Sequence, residues 1–180
     1  MRNRPLSAAC RESASIIAKT LVFTVLVPGS VAVLIPYLII SYGWGLHFAI
    51  GDYRFFGLLP MSAGGAVYLS CASEFAFAGE GTPAPTDPPR RLVSNRLYRL
   101  CRNPMYVGVL TVLVGEAIMF ASATLFAYAA AVWLLFHIFV VYYEEPHLRE
   151  KFGASYEDYC RAVPRWLPRL KRRAPESRST

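Results

Sequence analysis

Long runs without a charged side chain constrain this chain most. Leu21 to Tyr42 holds no Asp, Glu, Lys or Arg, and Phe55 to Ala78 holds one carboxylate, Glu74. Met105 to about Ala121 and Ser122 to Tyr143 then follow each other with almost no loop, interrupted only by Glu116. A helix needs about 20 apolar residues to cross the hydrocarbon of a bilayer, and backbone polar groups in lipid must be satisfied within the helix itself. The expected fold is therefore an all-α, polytopic membrane protein with about four transmembrane helices. Pro28, Gly29 and Pro36 should kink the first of them. Ser30-Val31-Ala32 resembles a small-x-small cleavage site, but the apolar run continues past it to Ile40, so a retained helix is the expectation.

The remaining charge is gathered between these runs. Of 180 residues, 54% are hydrophobic and 17% charged, and the net charge is +7. Lys and Arg cluster at 2–19, 90–102 and 149–178, whereas the segments on the other side hold little beyond Arg54. Such a distribution follows the positive-inside rule, so both termini should face the cytosol, in a bacterial inner membrane. It serves topology rather than nucleic-acid binding. Cys10, Cys71, Cys101 and Cys160 show no CxxC spacing, and no histidine stands at ligand spacing, which argues against a disulfide framework or a metal site.

Two of the inner segments carry chemistry. In "GEGTPAPTDPPRRLVSNRLYRLCRNP" the prolines Pro83, Pro85, Pro88 and Pro89 exclude an ordinary helix from the first half. Leu92 to Cys101 can form a short amphipathic helix. Pro104 fits the first turn of the third span, with Asn103 as its N-cap. Free amides at that helix start, beside Arg99 and Arg102, would suit a carboxylate or phosphate. In "HIFVVYYEEPHLREKFGASYEDYCRAVPRWLP", Glu144 and Glu145 stand where the fourth span should end. Carboxylates at a helix C-terminus oppose the helix dipole, and a broken local rule points to function. Leu148, Phe152, Tyr156 and Tyr159 recur at helical spacing beyond them, and Trp166 and Leu167 suit the membrane interface. A cationic helix start and an anionic helix end on one face imply a zwitterionic guest. S-adenosylmethionine has that charge pattern.

These residues resemble the integral-membrane methyltransferases, which comprise the isoprenylcysteine carboxyl methyltransferases and the phospholipid N-methyltransferases. The resemblance rests on "RNPMYVG", an apolar hairpin and "EE", preceded by Thr82-Pro83-Ala84-Pro85 and Asp87-Pro88-Pro89. Phe152-Gly153, Tyr156, Tyr159 and Val163-Pro164-Arg165 follow it. It covers roughly residues 79–168, and departs from the family pattern at Asn103, where a His is usual, and at Arg96, where many members have Gly. The resemblance implies S-adenosylmethionine as cofactor, held by Arg102, Asn103, Pro104, Tyr106, Gly108, Glu144 and Glu145. It further implies a hydrophobic, lipid-like or prenylated acceptor entering from the bilayer, most like that of an isoprenylcysteine carboxyl O-methyltransferase, with a phospholipid amine as alternative. Residues 1–79 would shape acceptor access, 80–168 would bind cofactor, and 169–180 would be a basic tail.

Methyl transfer from a sulfonium is an in-line displacement that needs positioning and exclusion of water. A carboxylate acceptor needs no base, and Arg149 would orient it; an amine needs a proton acceptor, for which Glu144, Glu145 and His137 are candidates. His137, seven residues before Glu144, is either such a group or a histidine bonded within the bundle. Gly108 and Gly115, seven apart, serve either close approach to cofactor or helix packing. Glu116 lies about 18 Å along the third helix from Pro104, suited to a structural or acceptor-channel role, and Glu74 could join the pocket. An NADPH-dependent lipid reductase would want a further basic cluster for the 2′-phosphate, and none stands out. A membrane scaffold would leave Glu144-Glu145 without a reason.

Overall fold

The computed structural model describes residues 18, 21–22, 24–43, 46–78 and 96–167, without the side chains of 75–78. The proline-rich loop with Thr82–Pro89, the basic leader and the basic tail lie outside these residues. Among the described residues every regular element is a helix, joined by one isolated antiparallel bridge between His47 and Ser122. Helix α1 is Thr24–Ser41, α2 is Leu58–Ala78, α3 is Pro104–Met119 and α4 is Ala123–Phe139; α5, Glu145–Phe152, and α6, Ala154–Ala162, follow. Three helical stretches are long and apolar enough to cross a membrane, namely Thr24–Ser41, Gly51–Glu74 and Ala123–Phe152. The protein is an integral membrane protein.

The fourth apolar helix, α3, has 16 residues. At 1.5 Å per residue it is about 24 Å long, short of the roughly 30 Å hydrocarbon thickness. Its position explains why that length suffices. Leu113, Gly115 and Ala117 are buried inside the protein, and the turn beyond it is held by protein rather than lipid. Phe48 N–H donates to Ala121 O at 2.9 Å, Ala123 N–H donates to Leu46 O at 2.8 Å, and Ser122 Oγ caps α4 through Leu125 N–H at 3.3 Å. Irregular backbone at this depth is tolerated where protein satisfies it. Because α3 ends at Met119, Glu116 sits in its last turn rather than in mid-helix, and it is buried.

The α2–α3 contact is the closest in the molecule, and it is made by glycines. Gly57 and Gly64 on one side face Gly115 and Gly108 on the other, in antiparallel order. A Cβ on Gly64 would lie 2.5 Å from Gly108 O and 2.8 Å from Val112 N, and one on Gly115 would lie 2.7 Å from Gly57 O. No side chain fits there, so the two backbones touch, as small-residue membrane interfaces allow. The adjacent core comprises Tyr68, Ala72, Val109, Leu113, Ala129 and Val132, which brings α4 onto the same pair.

Two π turns shape the remaining helices, and a proline follows each. In α1 the turn Ser30–Leu34 precedes Pro36, and Ile35 N–H reaches back five residues to Ser30 O. In that register Val31 O would next meet the nitrogen of Pro36, which has no hydrogen. Tyr128 O–H donates to Val31 O instead, at 2.8 Å, and Tyr68 O–H donates to Thr24 Oγ1 at 2.9 Å. These two bonds and Val31 and Ala32 dock an otherwise exposed α1. The irregularity expected near Pro28, Gly29 and Pro36 thus takes the form of an extra residue in one turn.

The second π turn, Val140–Glu144, precedes Pro146 and joins α4 to α5 without a break. The helix that carries Glu144 and Glu145 therefore does not stop there; it runs to Phe152 and turns at Gly153, whose φ of 53° suits glycine. The dipole conflict read from the sequence is absent, because the helix end lies beyond Arg149 and Lys151, whose charges favour it.

The glycine seam makes a direct prediction. Gly64→Leu should destabilise the folded protein in detergent by at least about 1–3 kcal/mol through overpacking. Gly65→Ala, one residue away with open space at its Cβ, should leave thermal unfolding unchanged or raise its midpoint.

Candidate functional site

The arginine-rich segments meet at one end of the bundle, where α3 begins and α4 passes into α5. Their centre is Glu145. It is 2% exposed, and three guanidinium groups surround it. Arg165 binds it through two bonds, Nε to Oε1 at 2.6 Å and Nη2 to Oε2 at 3.0 Å. Arg102 Nη1 lies 3.1 Å from Oε1, and Arg149 Nη2 lies 3.6 Å from Oε2. A carboxylate can be buried only if it is paired and hydrogen-bonded, and the two-pronged contact with Arg165 is the strongest form of that pairing. The same contact holds the Arg165 guanidinium above its ordinary pKa.

These contacts fasten an extended strap, residues 163–167, over the start of α3. Arg102 N–H donates to Pro164 O at 2.9 Å. Asn103 Nδ2 donates to Arg165 O at 3.1 Å, and Trp166 Nε1 donates to His137 Nδ1 at 3.2 Å. From α6, Tyr159 O–H donates to Tyr98 O at 2.7 Å, and Cys160 Sγ accepts from Arg102 Nη1 at 2.7 Å. Burial pushes the Tyr159 phenol above its usual pKa. Tyr98 belongs to a 3-10 turn, Arg96–Arg99; of the amphipathic helix expected over Leu92–Cys101, residues 92–95 lie outside the described residues and 96–99 form this turn.

Glu144 points elsewhere. Neighbouring helical residues diverge by about 100°, and Glu144 Oε2 accepts from Tyr106 O–H at 3.1 Å. The Tyr106 ring packs on Phe136 at 4.7 Å and lies 6.5 Å from Trp166. Glu144, Tyr106, Phe136, Trp166 and His137 thus form an aromatic wall beside the arginine cluster.

The geometry sorts the residues anticipated from sequence. Arg102, Asn103, Tyr106, Glu144, Glu145, Arg149 and His137 come together at this end, with Pro104 in the first turn of α3. Several do so differently from expectation. The Asn103 side chain does not cap α3; its amide is spent on the strap. Arg149 is held between Glu145 and Glu157, with Nε 2.9 Å from Glu157 Oε1, rather than open to an acceptor. The indole of Trp166 can only donate, so His137 Nδ1 is its acceptor, and the imidazole carries its proton on Nε2. Gly108 faces Gly64 and Tyr68, so the packing alternative is the one its surroundings carry. The sequence motif gives Arg165 no role, although it is the main partner of Glu145, and Trp166 serves the strap as well as suiting the interface. Folding alone reveals these pairings, because the partners lie 20 and 29 residues apart in sequence.

A model of the phospholipid methyltransferase family matches residues 53–155, which takes in α2, α3, α4, α5 and the Glu144–Glu145 pair. The chain belongs to the phospholipid methyltransferase family. It is 36% identical over 85 residues to methanethiol S-methyltransferase 2 of Bradyrhizobium diazoefficiens, covering 46% of this chain and 32% of that protein. Over 79 residues it is 34% identical to protein-S-isoprenylcysteine O-methyltransferase B of Arabidopsis thaliana, covering 43% of this chain and 40% of the relative. A nickel-cobalt-cadmium resistance protein of Alcaligenes xylosoxydans is 35% identical over 79 residues, 44% of this chain and 37% of its own length. The chain thus spans well under half the length of these relatives.

Removing one charge should separate the two glutamates. Glu145→Gln leaves three guanidiniums around a neutral amide and should cost about 3–5 kcal/mol of stability, as loss of one partner from a buried pair does. Glu144→Gln loses one bond and should cost about 0.5–1.5 kcal/mol. Unfolding midpoints of the two purified variants check this; equal losses would show that Glu145 is not the tie.

Proposed function

We propose that the protein transfers a methyl group from S-adenosylmethionine to a hydrophobic or lipid-like acceptor at the membrane. One observation carries this reading: three guanidiniums converge on a single buried carboxylate. Arg149 has Glu157 as a second partner, but Arg102 and Arg165 leave a surplus of positive charge, and Arg102 Nε is buried without a hydrogen-bond partner. A carboxylate of the cofactor would supply that partner. Glu144, held by Tyr106 beside Trp166 and Phe136, would hold ribose hydroxyls or the cationic portion against an aromatic surface. The cofactor supplies an electrophilic methyl on a sulfonium; the chain's own part is to bind, orient and exclude water. Pro104 closes the α3 start around this site, and Asn103 locks the strap over it.

Membership of a methyltransferase family supports this reading, and so do relatives named for carboxyl and thiol methylation. A prenylated or otherwise membrane-dissolved acceptor fits the exposed apolar flanks of α1 and α4. The described residues contain no group of three potential metal ligands, and the reading calls for none. In our reading the domain organisation is a single unit in which 80–168 form the cofactor half and 1–79 the acceptor side, with the basic segment 169–180 as a tail. The cofactor end and both termini face the cytosol.

Isothermal titration of the detergent-purified protein with S-adenosylmethionine tests the core of this reading. The parent should bind. Glu144→Gln should bind about 10- to 150-fold more weakly, the loss of one charge-assisted bond. Arg102→Lys should also weaken binding, because an ammonium cannot copy the planar fork, while the exposed Arg161→Gln should not. Unchanged affinity in both site variants would place the cofactor elsewhere. Topology has its own check: a reporter fused after Thr180 should be active only as a cytosolic fusion.

A further inference from the structure

The buried carboxylates at this end differ in how they are neutralised, and one has almost no partner. Glu74 lies on the last described turns of α2, with its side chain 12% exposed. Both of its oxygens are shut off from solvent, and neither has a hydrogen-bond partner. Arg96 Nε approaches Oε1 only to 3.5 Å, beyond good hydrogen-bond distance, from a side chain that is 73% exposed. Among the described residues Arg96 is the only cation for which an ion pair with Glu74 is seen. Arg96 opens the 3-10 turn Arg96–Arg99, and the carbonyl of Tyr98 in that turn accepts from Tyr159 O–H, so the carboxylate lies against the turn that borders the arginine cluster.

We propose that Glu74 is the proton acceptor for the methyl acceptor, and that the acceptor is consequently a protic nucleophile, a thiol or amine on an apolar chain, rather than a carboxylate. This rests on the methyl-transfer reading. Burying a carboxylate without donors is costly unless something binds it. A protonated amine or a thiol supplies the missing donor, whereas an ionised carboxylate acceptor brings only lone pairs and leaves both Glu74 oxygens unsatisfied. The other bases named from sequence are taken: Glu145 by three guanidiniums, His137 Nδ1 by Trp166, and one Glu144 oxygen by Tyr106. In the reaction the acceptor's lone pair forms the new bond to the methyl carbon. The sulfonium–methyl bond breaks with its electron pair left on the donor sulfur, and the acceptor's proton passes to the Glu74 carboxylate. Atoms and charge then balance with no further reagent.

Two measurements test this on the whole chain. Without cofactor, calorimetric titration should show dodecylamine binding at least tenfold more tightly than dodecanoate, and Glu74→Gln should erase that preference. With S-adenosylmethionine, methyl transfer to dodecanethiol or dodecylamine should fall about 10²–10⁴-fold in Glu74→Gln, while cofactor affinity stays within twofold of the parent. Glu74→Asp should recover part of the rate, and raising the pH should narrow the gap by ionising the thiol in solution. If Glu74→Gln transfers methyl as fast as the parent, or if the parent methylates only dodecanoate, the proposal is overturned. A Glu74→Gln variant that loses cofactor affinity or does not fold, with Glu74→Asp behaving alike, assigns Glu74 a structural role and also overturns it. A parent that neither binds S-adenosylmethionine nor transfers methyl instead overturns the methyl-transfer reading itself.

Discussion

The ion cluster around Glu145 is the interaction on which the rest of this end depends. A carboxylate in so buried a position would be expelled or neutralised if it stood alone. Here it draws in Arg102 from the start of α3, Arg149 from its own helix and Arg165 from the strap. Those three come from points spread over 60 residues of sequence, so one side chain fixes the mutual placement of three segments. The strap then contributes its backbone: Pro164 O and Arg165 O satisfy Arg102 N–H and the Asn103 amide. Charge pairing of this kind adds less net stability than its Coulomb energy implies, because desolvation opposes it. Its value lies in register, since shifting any of these segments would take a guanidinium away from that carboxylate.

The glycine seam does for the apolar part what Glu145 does for the polar end. Lipid provides no hydrophobic drive between helices, so close van der Waals contact must hold them. Gly57, Gly64, Gly108 and Gly115 allow backbone to meet backbone between α2 and α3. That fixes the level at which α2 delivers Glu74, ten residues beyond Gly64, relative to the start of α3. The seam and the ion cluster therefore act on α3 in complementary ways, one setting its level against α2 and the other fixing its start.

Much of this was legible in the sequence, and the reasons for the remainder are physical. Uncharged runs announce membrane helices because lipid imposes a simple rule on composition, and the clustering of arginines follows from the same rule. The family motifs singled out Arg102, Asn103, Tyr106, Glu144 and Glu145, which the fold brings to one end of the bundle. Long-range pairing was not legible: nothing local in Val163-Pro164-Arg165 says that the guanidinium reaches Glu145. The continuation of α4 into α5 was not legible either. A proline after two glutamates looks like a stop, yet the π turn Val140–Glu144 brings the chain past Pro146 without losing the helix. Pro36 behaves in the same way after Ser30–Leu34, so the two sites share one device. A proline in a membrane helix need not mark an end when an added residue shifts the register ahead of it.

That π turn also accounts for how two adjacent glutamates acquire different surroundings. A regular helix already separates consecutive side chains by about 100°, and the inserted residue shifts which face each of them takes relative to α4. Glu145 turns toward three cations and Glu144 toward a phenol and two aromatic rings. Glu74 arrives from α2 with only the distant, exposed Arg96 guanidinium near one oxygen. Solvation at this end thus runs from fully paired, through singly bonded, to nearly bare. A paired carboxylate holds structure because its charge is already neutralised and cannot respond to a guest. A singly bonded one can still accept hydroxyl or cationic donors. A bare one has the most to gain from a donor that arrives with the substrate. Three copies of one functional group, differing only in what surrounds them, thereby take up the roles we propose for them: fastening, binding and proton transfer.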